Sequence, residues 1–478
     1  MIVEPYYKTA VALGKPVFLQ VEVSAGDREA FYRQTIETCR KLNAPLYRLD
    51  RLGVERFSFA SERWLREEAD GLSFSLAEIL PQIETLQGIF IVEFAEHEDP
   101  SNALLALRLR RLNGHKLLVF LTEPGEILNI PYLREKLFRE DFPGPDLFEI
   151  ADIGRRCGLK KFPFRFKNIV KAARGLDRET TEQLFTHLST LPIEDEEALA
   201  RVHAFKAKYI LKNADILEYQ VVSQNPLVFG FSALQKWAEL RMEEILQGRC
   251  QKGVLLCGIP GTGKTSAATL LAYRHRLPLV KLHLGLLKSP YQGEAESRFR
   301  KALKMIDRLG PCIVLADEYD KTLAAMGQNP GVDGGVGSSL LSLWLEWLEK
   351  PKDTLVVATS NSLDLSGPEQ RRLQPFFVDY PDLETTKAIL WTRVVKEEIE
   401  VDIEDVFALA NKMAHLFTGD HIKRTVKRAA LRAKTKGLKP CLKDLLWAYE
   451  KELDQAISFH IQHLHLQEEA LRLGLPKA

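Results

Sequence analysis

The stretch "GVLLCGIPGTGKTSAATLLAYRH", Gly253 to His275, decides the fold. "GVLLC" reads as a buried strand, "GIPGTGKT" as a glycine-rich turn, and "KTSAATLLAYRH" as the helix that follows. At G-x-x-x-x-G-K-[ST] spacing, glycines let successive backbone N–H groups converge at a helix N-terminus, where the macrodipole also favours an anion. Gly258, Pro260, Gly261, Thr262, Gly263, Lys264, Thr265 and Ser266 are therefore expected to cradle phosphates. Lys264 would reach the β- and γ-phosphates of ATP, and Thr265 would hold Mg²⁺. The alternative is a glycine-rich strand–helix turn without a ligand, and the strand and helix on its two sides weigh against it.

Two later strand ends complete the pattern. "CIVLADEYD" is an apolar run ending in Asp317 and Glu318. Asp317 can reach Mg²⁺ through water, while Glu318, on the other face, can orient and polarise an attacking water. "TLVVATSN" ends in Asn361, placed to touch the γ-phosphate or that water. Alone, each is ordinary strand punctuation; following a phosphate loop, they read as a hydrolytic site.

Outward from this centre, 478 residues are too many for one core and predict several domains. Lys+Arg 66 against Asp+Glu 65 gives a formal charge of +1, so no overall field points to nucleic acid or a membrane surface. The six cysteines are scattered without a C-x-x-C pair, and no apolar run approaches bilayer length. The N-terminus lacks the basic and apolar regions of a signal peptide, and the expectation is a cytoplasmic protein. The first third alternates strands ("KPVFLQVEVS", "PLYRLD", "GIFIVEFAE", "KLLVFLTEP") with helical segments. Helical periodicity dominates from about Lys160 to Tyr219, and a second α/β series begins near Phe229. The expected divisions are 1–158, an α/β domain; 159–222, a helical subdomain and linker; 223–382, the nucleotide-binding core; and 383–478, helical.

Gly258 to Thr265, Asp317 with Glu318, Asn361 and a following helical segment, in this order, resemble an AAA+ ATPase module over roughly residues 225–440. "LPLVKLHLGLLKSPYQGEAESRFRKALKMIDRLGPCIVLADEYDK" and "GVGSSLLSLWLEWLEKPKDTLVVATSNS" are similar to the hypothetical-chloroplast-frame AAA proteins of cyanobacteria and plastids. The resemblance implies a P-loop NTPase parallel sheet with a C-terminal helical lid, preceded by a degenerate ATPase-like α/β module with its own helical subdomain. After "VFLQVEVS" the first module reads "AGDREAF", without a second glycine or a lysine, so one nucleotide site per chain is expected.

The resemblance also implies a homo-oligomer, with a hexameric ring expected, in which an arginine from a neighbouring subunit completes the site. Arg372, beside Arg371, matches the first such arginine; the family's following Gly-Arg-Phe-Asp segment is missing, since this chain runs straight to "LQPFF". A solvated helix end is the alternative for the pair. In "YQG", Tyr291 to Gly293, the resemblance places a pore-lining turn whose tyrosine would grip a threaded chain; the alternative is a ring folded onto its own domain.

Other signals favour structure over chemistry. Arg424, Lys427, Arg428 and Arg432 share a helical face that reads as solvated, and the family's lid sensor position is Asp420. "KKFPFRFKN" reads as a strand entering a helical segment rather than a nucleic-acid strip. His460, His463 and His465 lack an acidic or thiol ligand in register and read as a packed tail helix. The expected function is Mg²⁺-dependent ATP hydrolysis driving remodelling or unfolding of an unspecified protein client. The alternatives are a slow ATP-gated scaffold and, third, a nucleic-acid motor; neither a nucleic acid nor a membrane is an expected partner.

Overall fold

Runs of apolar, β-branched residues become two sheets, one in each compact unit, Met1–Lys206 and Ala207–Ala478. The computed structural model describes residues 2–66, 75–93, 103–126, 128, 130–287, 294–321, 336–363 and 367–478. The first unit contains β1 (Val17–Glu22), β2 (Leu46–Asp50), β3 (Gly53–Ser58), β4 (Arg63–Arg66), β5 (Gly88–Val92), β6 (Lys116–Thr122) and β7 (Leu137–Asp141), ordered β4-β3-β2-β5-β6-β1-β7. The second contains β8 (Leu217–Gln220), β9 (Gly253–Cys257), β10 (Leu279–Leu282), β11 (Cys312–Ala316), β12 (Thr354–Ser360) and β13 (Leu373–Phe377), ordered β13-β9-β12-β11-β10-β8.

Setting aside the antiparallel strands β3, β4 and β8, the parallel strands lie as β7-β1-β6-β5-β2 and β13-β9-β12-β11-β10. Counted along each unit, both orders place the first strand between the fifth and the fourth, followed by the third and second. One strand order is built twice; the alternation of strands and helices predicts the two parallel sheets but not their order.

Parallel sheets are covered by helices on both faces, so their strands are buried throughout. In the second unit, Val254, Leu256, Ile313 and Leu315 pack toward one layer, and Leu255, Cys312, Val314 and Val356 toward Phe299 and Trp344 on the other. Register then fixes where chemistry can occur. Cys257 pairs with both Ser360 and Phe377, and Ala316 with Ala358, so the loops leaving β9, β11, β12 and β13 emerge along one edge.

The first unit closes the equivalent edge with its own charges. Glu22 pairs with Thr122 as Cys257 does with Ser360. Beyond β1, Asp27 is fully buried; its carboxylate accepts the Arg178 backbone N–H at 3.0 Å, a guanidinium N–H at 2.9 Å and the Ser24 hydroxyl at 2.6 Å. Arg28 reaches Glu123 at 3.3 Å. Acidic groups and a self-neutralised arginine fill the place where the second unit leaves a cradle.

The chain's second half ends in helices Leu383–Lys396, Ile403–Met413, Gly419–Thr435 and Leu442–Arg472. They share a core including Leu390, Val406, Leu409, Ile422, Val426 and Leu445. Among the described residues no helix is long and apolar enough to cross a membrane.

Four expectations change. The helix expected between β2 and β5 is largely the hairpin β3–β4, half-exposed on its outer strand. The short strands β7 and β8 were not anticipated, because edge strands carry little continuous hydrophobicity. "KKFPFRFKN" is a 3₁₀ turn, Leu159–Lys161, and the start of helix Phe166–Ala173; Phe162 is buried and Phe164 is 91% exposed. The basic face of Gly419–Thr435 is not simply solvated: Arg428 and Arg424 lie 3.0 and 3.7 Å from the fully buried Glu452, and Arg432 covers Trp447. Glu452 sits on a different helix, beyond the reach of local periodicity, whereas the Arg424–Asp420 pair at 3.4 Å lies within the one helix.

Asp27→Ala is expected to lower the stability of the first unit by about 2–4 kcal/mol, because it leaves a partly buried guanidinium with Glu149 and the Pro143 carbonyl but without its buried carboxylate partner. A thermal transition unchanged from the parent's would show that this carboxylate does not hold the loop.

Candidate nucleotide-binding site

The turn after β9 is shaped by what its backbone must avoid. A Cβ on Gly258 would lie 2.5 Å from the Val378 carbonyl oxygen, so only glycine lets β9 and β13 close on one another. Gly261 has φ +83°, and its bare Cα faces Thr418, whose hydroxyl would be 2.8 Å from a Cβ. Gly263 leads directly into helix Lys264–His275. The Thr262 hydroxyl donates to the Ile259 carbonyl at 2.9 Å and closes the turn.

Lys264 points back into this turn and is only 8% exposed. Its ammonium donates to the carbonyls of Gly258 (2.7 Å) and Ile259 (2.9 Å) and to Asn361 Oδ1 (3.0 Å). Burial pulls its pKa down to about 8, while the nearby Asp320 and Asp317 act in the opposite sense. Asn361 is itself fixed, since its backbone N–H donates to Asp320 Oδ2 at 3.1 Å.

Thr265 Oγ1 donates to both oxygens of Asp317 at 3.1 Å, and Thr359 Oγ1 donates to Asp317 Oδ1 at 2.5 Å. Hard oxygen donors gathered this closely suit Mg²⁺. Glu318 has a left-handed backbone, φ +51°, with its N–H on Thr359 Oγ1 at 3.0 Å. Its carboxylate is exposed and accepts from Lys321 at 2.6 Å. The structure thus brings together Pro260, Gly261, Thr262, Gly263, Lys264, Thr265, Ser266, Asp317, Glu318 and Asn361 around one cavity, with Gly258 joined to them through its carbonyl on Lys264.

That cavity, about 870 Å³, is also walled by the start of helix Gly419–Thr435, by Phe231 and by His463 and Lys477 near the C-terminus. The Asp420 N–H donates to the Gly261 carbonyl at 3.2 Å, so the start of helix Gly419–Thr435 rests on the phosphate loop. Phe231, itself at φ +61°, lays its ring against Gly263. His463, 2% exposed, contacts Asp379 at 2.8 Å, and Lys477 reaches the same carboxylate at 2.5 Å. Burial opposes ionisation of Asp379, but these two partners and the Tyr380 N–H hold its pKa far below the usual carboxylate range. The acidic partner of the histidine tail is thus 84 residues away in sequence, as 463 − 379, and no local spacing rule reveals it. Thr359 had a signal, two positions before Asn361 on the same strand end.

Arg372 lies outside the cavity lining. It donates to the Pro368 carbonyl at 2.9 Å and to Glu349 at 2.7 Å; Arg371 is exposed. Tyr291 falls outside the described residues.

Residues 254–379 match the family "ATPase family associated with various cellular activities (AAA)". The second unit therefore carries an AAA domain with the α/β P-loop NTPase fold. The "Uncharacterized AAA domain-containing protein ycf46" of Trieres chinensis is 30% identical over 301 residues, covering 60% of this chain and 59% of that protein. The protein of the same name from Guillardia theta is 31% identical over 299 residues, covering 59% and 58%. The "Cell division cycle protein 48 homolog" of Archaeoglobus fulgidus is 33% identical over 189 residues, covering 38% of this chain and 25% of its own. The chain spans about three fifths of the length of the first two relatives.

The helix resting on the phosphate loop is capped by a titratable group. His421 Nδ1 accepts the Thr418 N–H while the Thr418 hydroxyl accepts the His421 N–H, and burial, with Arg424 nearby, pushes the imidazole pKa from 6.5 down to about 4. The unfolded chain therefore binds this proton first. Stability from the cap should be complete above about pH 6.5 and decline as pH falls toward 4. His421→Gln retains an acceptor that does not titrate, so its denaturation midpoint should lose that part of the pH dependence; an unaltered profile would refute the cap's role.

Proposed function

We propose that the AAA domain at residues 254–379 makes this chain a Mg²⁺-dependent ATPase, with the phosphates seated on the turn Gly258–Thr265. One observation carries the reading: the Lys264 ammonium is buried, faces the cavity, and hydrogen-bonds only neutral oxygens. A buried cation is costly without an anion, and a triphosphate supplies one. Backbone N–H groups of the turn and of the first helical turn hold the β- and γ-phosphates, and Lys264 exchanges its carbonyl contacts for phosphate oxygens. Thr265 and Asp317 would hold Mg²⁺, which supplies charge neutralisation at the phosphate oxygens. Glu318 leaves Lys321 to accept a hydrogen bond from the attacking water, and Asn361, steadied by Asp320, orients the γ-phosphate or that water.

Use of this hydrolysis to remodel a protein client, in a homo-oligomeric ring, is the extension we favour, supported by resemblance to AAA+ modules. In that arrangement Arg372 serves a neighbouring subunit's site. A second reading, a slow ATP-gated scaffold, draws on Arg372 itself, which is held by Glu349 and Pro368 of its own chain and must leave them to act elsewhere.

Lys264→Ala should weaken ATP binding by roughly 10- to 100-fold, because it removes a charge-assisted contact in a desolvated site. Glu318→Gln should bind ATP within about twofold of the parent and hydrolyse it on the order of 10²-fold more slowly. Parental turnover in Glu318→Gln would remove Glu318 from the mechanism.

Arg372→Ala should bind ATP normally and lose about 10³-fold in turnover if it acts in trans, with partial recovery on mixing with Lys264→Ala subunits. Unchanged turnover would favour the scaffold reading.

A further inference from the structure

Glu318 holds a backbone conformation that non-glycine residues adopt at a cost of about 1 kcal/mol or more, so neighbouring residues must enforce it. On one side, Asp317 is tied to Thr265 and Thr359. On the other is Tyr319, 1% exposed, packed on Trp344 with ring centroids 6.4 Å apart. Its hydroxyl donates a short hydrogen bond to the carboxylate of Glu369, itself 3% exposed. Burial and then this bond push the phenol pKa well up, so the O–H remains a donor. Glu369 lies on the helix Gly367–Arg372, which ends in Arg371 and Arg372.

We propose that Tyr319 is a positioning residue: through its buried hydrogen bond to Glu369 it sets the direction of the Glu318 carboxylate and ties that carboxylate to the helix bearing Arg372. The proposal rests on the role given to Glu318 above. Two rigidly held residues flank one exposed, catalytically useful one, so rotation about Glu318 is limited to what its neighbours allow. A buried tyrosine needed only for packing would be served by phenylalanine; the hydroxyl instead spans to a carboxylate 50 positions later in sequence, as 369 − 319. Any displacement of the Gly367–Arg372 helix is then felt at Glu318 without passing through the phosphate loop.

Tyr319→Phe keeps the ring on Trp344 and deletes only the donor. Turnover should fall roughly tenfold, with affinity for a non-hydrolysable ATP analogue and KM within about twofold. Glu369→Gln, which keeps an accepting oxygen, should retain most of the turnover, and Glu369→Leu should match Tyr319→Phe. In a Glu318→Gln background, Tyr319→Phe should add no further loss. Parental turnover in a folded Tyr319→Phe protein, or a full tenfold loss on top of Glu318→Gln, overturns the coupling. Parental turnover in Glu318→Gln alone overturns the assignment of Glu318 instead. Should Tyr319→Phe fail to fold, the two Glu369 variants decide the matter: equal turnover in both rules the coupling out.

Discussion

The desolvated ammonium of Lys264 is the constraint around which the second unit is arranged. A lysine at this depth must satisfy three donors, and two of its acceptors are carbonyls of the turn that begins its own helix. The third, Asn361, belongs to another strand end and is held there by Asp320 of a third. Glycine at 258 lets the turn sit against the β13 exit, and the parallel register places all these exits on one edge. Take the charge away and the convergence of four loops has no electrostatic purpose.

The two units show how little of this lies in topology. Their parallel strands have the same order, yet the loop after β1 packs Asp27 against Arg178 and closes Arg28 onto Glu123, while the loop after β9 leaves a cation facing a cavity. In the first unit Asp27 satisfies Arg178 and Glu123 satisfies Arg28, so the charges at that edge are paired internally. Among the described residues the second unit has no such pairing at Lys264, whose ammonium hydrogen-bonds neutral oxygens and faces the cavity. Fold sets the edge; the sign of the charge at the edge sets what can occupy it.

The helix Leu442–Arg472 links the lid and the sheet in one continuous element. Leu445, Ala448 and Ala456 pack in the lid cluster, whereas Ala470 belongs to the core cluster beneath the sheet. Between them His463 meets Asp379, two residues beyond the end of β13, and Pro476 and Ala478 bond to Phe377 on β13. The position of these helices on the sheet is thus set by packing at both ends of Leu442–Arg472, as well as by the Asp420 N–H on Gly261.

Much of the fold and the centre of the site were legible because their signals are local. A buried strand, a glycine turn and a helix at fixed spacing can be recognised in consecutive residues, and so can the carboxylates and asparagine that end apolar strands. The edge strands β4, β7 and β8, and β3 beside β4, are harder to read because they carry no continuous apolar run. The sequence by itself determined two α/β units, one of them with a glycine-rich turn that carries a lysine at its end, because backbone conformation and charge at that turn depend on residues within a few positions. Tertiary structure alone decided that Glu452 neutralises the lid arginines, that Asp379 receives His463 and Lys477, and that Tyr319 is bound to Glu369. Each of those pairs joins residues tens of positions apart, and hydrogen bonds and ion pairs of about 3 Å depend on how packed elements converge, which no local period encodes.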